Sequence, residues 1–250
     1  MKSRFLLASL IAAPAIFGTI APSAAANLTV MPTSLRIAPP KAADVITIRN
    51  EGRAPVKMQI RIFRWEQRNG KDVYLPADGV IASPPFVTIK GGSDGNIRVA
   101  RIAKTPVQGV ESYRLIVDEL PSSRVRAKIS GQAASVEVVT RQILPIFFVS
   151  TPNARTSAGG ASAAASMSFT AQEAKGGYYI TVRNGSSNVI RVGEAVLLAG
   201  GQEIGRSRQA AGNVLPRRAI KFFVPGKGGG RPQQIRLMNG NTVEGTYPVN

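Results

Sequence analysis

Histidine and cysteine are both absent from the 250 residues, and acidic side chains are scarce, 14 Asp+Glu against 32 Lys+Arg. Their absence excludes a Ser-His-Asp triad, a thiolate nucleophile, a disulfide framework and a zinc site of nitrogen and sulfur ligands. The composition therefore points away from an enzyme and away from a bound cofactor. Aromatic residues are few: one Trp and five Tyr supply no stacking row for sugars or bases. What is present is 44% apolar residues with 25 Gly and 17 Pro, the balance of a folded chain with many turns and little helix.

The first 26 residues stand apart. Lys2 and Arg4 precede an apolar run from Phe5 to Ile20, and Ser23-Ala24-Ala25-Ala26 follows. Ala24 and Ala26 place small residues at minus three and minus one, so an export signal cleaved before Asn27 is expected. The run is broken by Pro14 and is short for a membrane span, so no stable membrane insertion is expected. Removing these residues takes away two basic and no acidic side chains, leaving 30 basic against 14 acidic and a formal charge of +16. Such a charge favours anionic partners. Nucleic acid is not expected among them, because the arginines are scattered through alternating segments with no compact basic run. Without cysteine, the exported chain must be held by its cores alone.

After Asn27 the apolar pattern has period two almost throughout, interrupted every ten residues or so by Gly, Pro or Asn. Val56, Met58, Ile60 and Ile62 alternate with Lys57, Gln59 and Arg61, as in a strand with one buried face. The phase then changes at Phe63 and Trp65, which predicts a bulge or the end of the inward face, with the single Trp anchoring a first core. Residues 151–166 carry Pro152, Gly159, Gly160 and many Ala and Ser but no aromatic or branched aliphatic residue, and read as a connector. The expectation is all-β: an immunoglobulin-like β-sandwich over 27–150, a linker over 151–166, and a second sandwich over 167–250. Ile46-Thr47-Ile48-Arg49-Asn50-Glu51-Gly52 is echoed by Ile180-Thr181-Val182-Arg183-Asn184-Gly185. Both read as strands entering a turn whose positive φ Asn and Gly tolerate.

The order of features resembles the periplasmic pilus-assembly chaperones of the chaperone-usher pathway. The resemblance rests on Leu28-Thr29-Val30-Met31-Pro32, Ile81-Ala82-Ser83-Pro84-Pro85-Phe86, Tyr113-Arg114-Leu115-Ile116-Val117-Asp118-Glu119-Leu120-Pro121 and Leu144-Pro145-Ile146-Phe147-Phe148-Val149, beside the export signal. The Ser-Pro-Pro segment and the Tyr-Arg-Leu strand look most like the archaic branch, associated with spore-coat-U-like pilins. The resemblance implies two immunoglobulin-like domains in an L or boomerang, a periplasmic location, pilin subunits and an outer-membrane usher as partners, and no catalysis. It also implies a mechanism. A pilin lacks the last strand of its own sandwich, and the chaperone lends one until another subunit replaces it.

The lent strand has its own signature. Val136, Val138 and Thr140 lie on one face and Val139, Arg141 and Ile143 on the other, so both faces are partly apolar. Such a strand is either central in its own protein or completed by a partner. The preceding Pro121–Ala134 stretch, with Arg124, Arg126 and Lys128, reads as a loop ordered only on pairing, from which Val125 and Ile129 extend the contacts. Ala134, Val136, Val138 and Thr140 are the expected donor positions.

The resemblance further implies a cation pair that holds the subunit's C-terminal carboxylate, an Arg in the first strand and a Lys in the last. Ser34 and Pro145 occupy those places here, so either the register slips to Arg36 or the anchor lies elsewhere. Arg98 and Arg114 each alternate out of phase with core neighbours and are the leading candidates; Arg141, out of phase with the donor positions, and Arg101, near a strand end, follow. Asp118 and Glu119 point to opposite faces of a strand and cannot form a catalytic pair, so Asp118 is expected to pair with an arginine. Gly226-Lys227-Gly228-Gly229-Gly230-Arg231 lacks phosphate-loop spacing and reads as a hairpin connection. The alternative to a chaperone is a two-domain structural or adhesive surface protein, whose strands would all be completed within the chain. A free chaperone, by contrast, is expected to self-associate weakly through its donor strand.

Overall fold

The structure, a computed structural model, describes residues 27–121, 139–150, 166–209, 211–226 and 230–250. Ten strands form the first unit: β1 (Leu28–Met31), β2 (Leu35–Ile37), β3 (Ala43–Asn50), β4 (Val56–Arg68), β5 (Lys71–Pro76), β6 (Val80–Ser83), β7 (Phe86–Ile89), β8 (Asp94–Arg101), β9 (Val110–Glu119) and β10 (Arg141–Val149). The second unit holds β11 (Met167–Ala174), β12 (Gly177–Asn184), β13 (Ile190–Val192), β14 (Glu194–Ala199), β15 (Gln202–Ser207), β16 (Gly212–Val214), β17 (Ala219–Pro225), β18 (Gln234–Asn239) and β19 (Thr242–Pro248). There is no helix among the described residues.

In the first unit a sheet ordered β1-β3-β8-β6 faces one ordered β2-β10-β9-β4-β5, with β7 pairing the opening residues of β4. The alternation of the sequence places Ile46, Ile48, Ile97 and Val99 of one sheet against Ile37, Leu115, Val117 and Ile146 of the other, all essentially solvent-free. The second unit repeats the plan, with β11-β12-β17 against β15-β14-β18-β19 and a β13–β16 ribbon, around Phe169, Ile180, Val182, Leu197, Ile235 and Leu237.

Trp65 is not part of the first core. It packs with Phe147 and Val149 against Val189 and Leu215 of the second unit, so the Trp seals the contact between units. The change of phase at Phe63 is likewise no bulge, because β4 pairs β9 through Ile62↔Leu115, Phe63↔Arg114 and Arg64↔Tyr113 without a slip. The outer face of the sheet becomes apolar there because the second unit covers it. Gln67, only 3% exposed, completes the contact: its amide donates to the Asn213 carbonyl (2.9 Å) and accepts from the Leu215 N–H (2.9 Å). A side-chain amide on β4 is thus read by backbone next to β16.

Residues 189–198, apolar at most positions, form two strands rather than one, β13 and β14, divided at Gly193, where an added Cβ would lie 2.2 Å from the Met238 carbonyl oxygen. Strands β2 and β16, of three residues each, are too short to show a period.

The echoed asparagines act through their side chains rather than through positive φ. Asn50 and Asn184 are both fully buried, and neither lies in the left-handed region. Asn50 Nδ2 donates to the Ala54 and Ile89 carbonyls and its Oδ1 accepts from Gly52 N–H. Asn184 Nδ2 donates to the carbonyls of Asn188, Val214 and Leu215, and its Oδ1 accepts from Ser186 N–H. Each asparagine therefore ties a strand end to the loop of the facing sheet. Truncation strands several buried backbone groups at once, so Asn50→Ala and Asn184→Ala should each cost about 2–4 kcal/mol in urea-unfolding experiments. A loss below about 1 kcal/mol would mean that water replaces the amide.

Candidate functional site

The site is built on the outer face of the six-stranded sheet, next to the second unit. Strand β10 is its centre. On one side it pairs β9 along its whole length, from Arg141↔Asp118 to Val149↔Val110. On the other side β2 covers only Ile146, Phe147 and Phe148, in parallel register with Leu35, Arg36 and Ile37. Among the described residues nothing pairs the edge from Arg141 to Pro145. Leu144, Ile146 and Phe148 turn inward to the core, whereas Ile143, 43% exposed, and Phe147 turn outward. Thr140 falls in phase with the inward set, and its carbonyl accepts from Glu119 N–H (2.9 Å). Ala134, Val136 and Val138, and with them Val125, Ile129 and most of the Pro121–Ala134 stretch, lie outside the described residues.

Two arginines flank the contact with the second unit. Arg36 on β2 stands opposite Phe147, and all three of its guanidinium nitrogens are buried without a hydrogen-bond partner. Burial pulls its pKa down from the ordinary arginine value. Arg114 on β9 is the ladder partner of Pro145 and turns to the same outer face. Its guanidinium lies 3.6 Å from the centroid of the Trp65 ring, contacts Asp72 at 3.4 Å, and leaves a buried Nε unpaired. Burial lowers this arginine too, with Asp72 partly opposing the shift. Pro145 of the last strand is thus paired with Arg114 one strand over. Ser34 is exposed ahead of β2, and Arg36 lies two residues on, within β2.

Arg98, Arg101 and Arg141 are placed differently. Arg98 is exposed on β8 in the opposite sheet, between Val45 and Ser83, and does not meet Arg114. The sequence pattern identified side chains leaving the core; it did not distinguish which sheet they leave from. Arg101 ends β8 with its fork already engaged: Nε and Nη2 grip Glu111 at 2.9 and 2.8 Å, and Nη1 donates to the Ala103 and Thr105 carbonyls. It has no free donors for a ligand carboxylate. Arg141 pairs with Asp118, which also takes Arg61 at 2.6 Å. This Arg141–Asp118–Arg61 bridge crosses β10, β9 and β4 at the open end of β10, as expected of Asp118.

The N-terminal half of the chain, residues 27–153, matches the family model described as pili and flagellar-assembly chaperone, PapD N-terminal domain. The chain belongs to this family of pilus-assembly chaperones. Its fold is similar to solved structures over both units. A chain of the CsuC-CsuE chaperone-tip adhesion subunit pre-assembly complex, from the archaic chaperone-usher Csu pili of Acinetobacter baumannii, aligns with a TM-score of 0.63 at 22% identity, covering 90% of this chain and 98% of that one. The YadV chaperone aligns with a TM-score of 0.60 at 13% identity, covering 88% and 98%. The CupB2 chaperone of Pseudomonas aeruginosa gives 0.55 at 14%, covering 89% and 100%. No protein with a curated description matches the sequence.

Two ion-paired carboxylates near opposite ends of β9 give the first unit a pH dependence. Hydrogen bonds from Arg101 hold Glu111 below the ordinary carboxylate range. For Asp118 burial acts upward, but the hydrogen bonds of Arg141 and Arg61 outweigh it and hold it low. Folded values below unfolded ones mean a contribution complete above the unfolded carboxylate pKa, about 4, and lost as pH falls through the folded values. Stability should be level near neutral pH and decline in acid below about pH 4, and Glu111→Gln should flatten that decline. A Glu111→Gln profile parallel to the parent's would remove Glu111 as a source.

Proposed function

We propose that the protein is an exported periplasmic chaperone that holds pilin subunits by lending them β10 and its upstream extension, and passes them to an outer-membrane usher. One observation carries the reading. Strand β10 keeps an open edge from Arg141 to Pro145 while Leu144 on its inward face continues the core of Ile146 and Phe148, so an incoming strand finds unpaired backbone next to the apolar core. Residues 1–26 are then the export signal, 27–150 the strand-lending domain, 151–166 the connector and 167–250 the second domain. Ala134, Val136, Val138 and Thr140 are the positions assigned to the subunit groove.

The carboxylate of the subunit's C-terminus is assigned to Arg36 and Arg114. An orphaned guanidinium at Arg36 gains charge-assisted hydrogen bonds on binding, and part of its desolvation is already met in the free protein. Arg98, Arg101 and Arg141 are left out of this assignment: every nitrogen of Arg101 is already engaged, Arg141 lies at the far end of β10 from Arg36, and Arg98 is on the opposite sheet. A surface module of the same fold has no use for an unpaired buried arginine beside an unpaired strand edge.

The test is affinity purification from the periplasm of the native host, with mass spectrometry of any polypeptide retained at equal stoichiometry. A small exported partner should be retained, and lost on Val136→Glu/Val138→Glu. Arg36→Met should lower retention about tenfold, the worth of one charge-assisted contact, while leaving or raising stability because a buried unpaired cation is removed. Retention by Arg36→Met equal to the parent's would place the anchor elsewhere. Emergence without a partner while fibres are being built would favour the surface module. Without client, the open edge should give weak, concentration-dependent self-association in light scattering, and a strictly concentration-independent monomer would argue against that.

A further inference from the structure

A second cluster of arginines, sharing no residue with the sheet-face site, lies where the β4–β5 hairpin meets the second unit. Arg183 ends the outer face of β12 and stands opposite Ala219 at the start of β17, and Arg217 and Arg218 immediately precede Ala219. The hairpin is fixed over them: Gly70 bridges Ile220 and its carbonyl accepts from Lys221 N–H at 3.3 Å. Arg68, Asn69, Gly70, Arg183, Arg217 and Arg218 thereby line one groove between the units. Arg68 is neutralised by Glu66 at 2.7 Å, whereas Arg183, Arg217 and Arg218 are exposed and make no ion pair among the described residues.

Arg217 adds a second and independent observation. Arg218 N–H donates to the Leu215 carbonyl at 3.1 Å, closing a four-residue turn with Pro216 second and Arg217 third. Arg217 has φ 59°, the left-handed value that this turn position requires and that glycine meets without strain. An arginine is kept in a conformation its side chain disfavours, at the rim of a groove with two further unpaired arginines. Strain retained at such a place points to a ligand.

We propose that this groove binds an acidic, extended peptide segment of a partner protein. The groove is shallow and set between two units joined by Gln67 and the Trp65 cluster, so a narrow extended chain laid along it meets arginines from both units. Its donors are planar guanidinium forks, which match carboxylates two hydrogen bonds at a time. The proposal does not depend on strand lending.

A fluorescent hexaglutamate peptide, titrated by anisotropy at low salt into the purified protein, is the probe. Arg183→Gln/Arg217→Gly/Arg218→Gln should weaken binding about tenfold or more. A charge-matched control remote from the groove, Lys57→Gln/Lys90→Gln/Lys104→Gln, should stay within about twofold. Arg217→Gly alone should weaken binding while raising Tm by about 2–4 °C, because the turn strain is relieved. Should the triple variant fail to unfold cooperatively, Arg183→Gln, an exposed strand position, gives the same reading. Equal losses in the two triple variants would overturn the site in favour of diffuse charge. Groove-dependent binding to phosphatidylglycerol vesicles but not to the peptide would overturn it in favour of lipid phosphate, and no peptide binding by the parent protein would overturn it outright. A fall in Tm on Arg217→Gly would show that the arginine is kept for folding.

Discussion

Strand β10 is gripped along nine residues by β9 and along three by β2, and this imbalance governs the first unit. A fully paired β10 would make the sandwich self-sufficient and leave it nothing to lend. An unpaired β10 would leave Leu144, Ile146 and Phe148 without a core to fill. The parallel three-residue clasp by β2 sets the division between the part of the strand owed to the fold and the part available to a partner. Arg36 stands in the middle of that clasp, so the same short strand that closes the core also carries a cation whose buried guanidinium has no hydrogen-bond partner.

A buried guanidinium without an acceptor costs several kcal/mol of desolvation, far more than an average hydrogen bond returns. The fold tolerates it because the neighbourhood is over-determined. Phe147 and Trp65 are fixed against Val189 and Leu215, and Gln67 locks the second unit through two backbone bonds. Arg114 is partly compensated by the Trp65 ring and Asp72, which leaves Arg36 as the larger debt. If Arg36 and Arg114 anchor a subunit as proposed, the contact between units is part of the binding chemistry, because it helps bury these arginines before any subunit arrives.

Period-two alternation made most strands legible, and with them both cores, because Ile46, Ile48, Leu115, Val117, Ile180 and Val182 repeat in phase with burial. It failed where burial comes from a second unit rather than from the facing sheet. Trp65 and Phe147 point away from the first core and are buried all the same, which no local pattern encodes. The arginines were legible as residues leaving the core, but their partners were not. Arg101 is claimed by Glu111 ten residues on, across a turn, and Arg98 and Arg114 fall in different sheets through pairing decided by long-range register. Arg36 was visible only as the near neighbour of Ser34, since the signal that singles it out is a missing acceptor. The asparagine echo was legible as repetition, yet its meaning lay in buried carbonyls supplied by distant loops.

The two arginine clusters differ in physical regime, and the difference decides what each is able to recognise. On the sheet face the Arg36 nitrogens and Arg114 Nε are buried, so a carboxylate docked there would meet them at reduced effective dielectric and would have to arrive in one position to satisfy the orphaned donors. That suits a single chain terminus and is screened little by salt. In the groove, Arg183, Arg217 and Arg218 remain hydrated, and attraction there falls off over about 8 Å at physiological ionic strength. Such a site favours several spaced acidic groups, exchanges quickly and loses strength as salt rises. With both proposals together, one molecule would separate retention from encounter: buried cations would set how long a partner stays, and exposed ones how readily it is met.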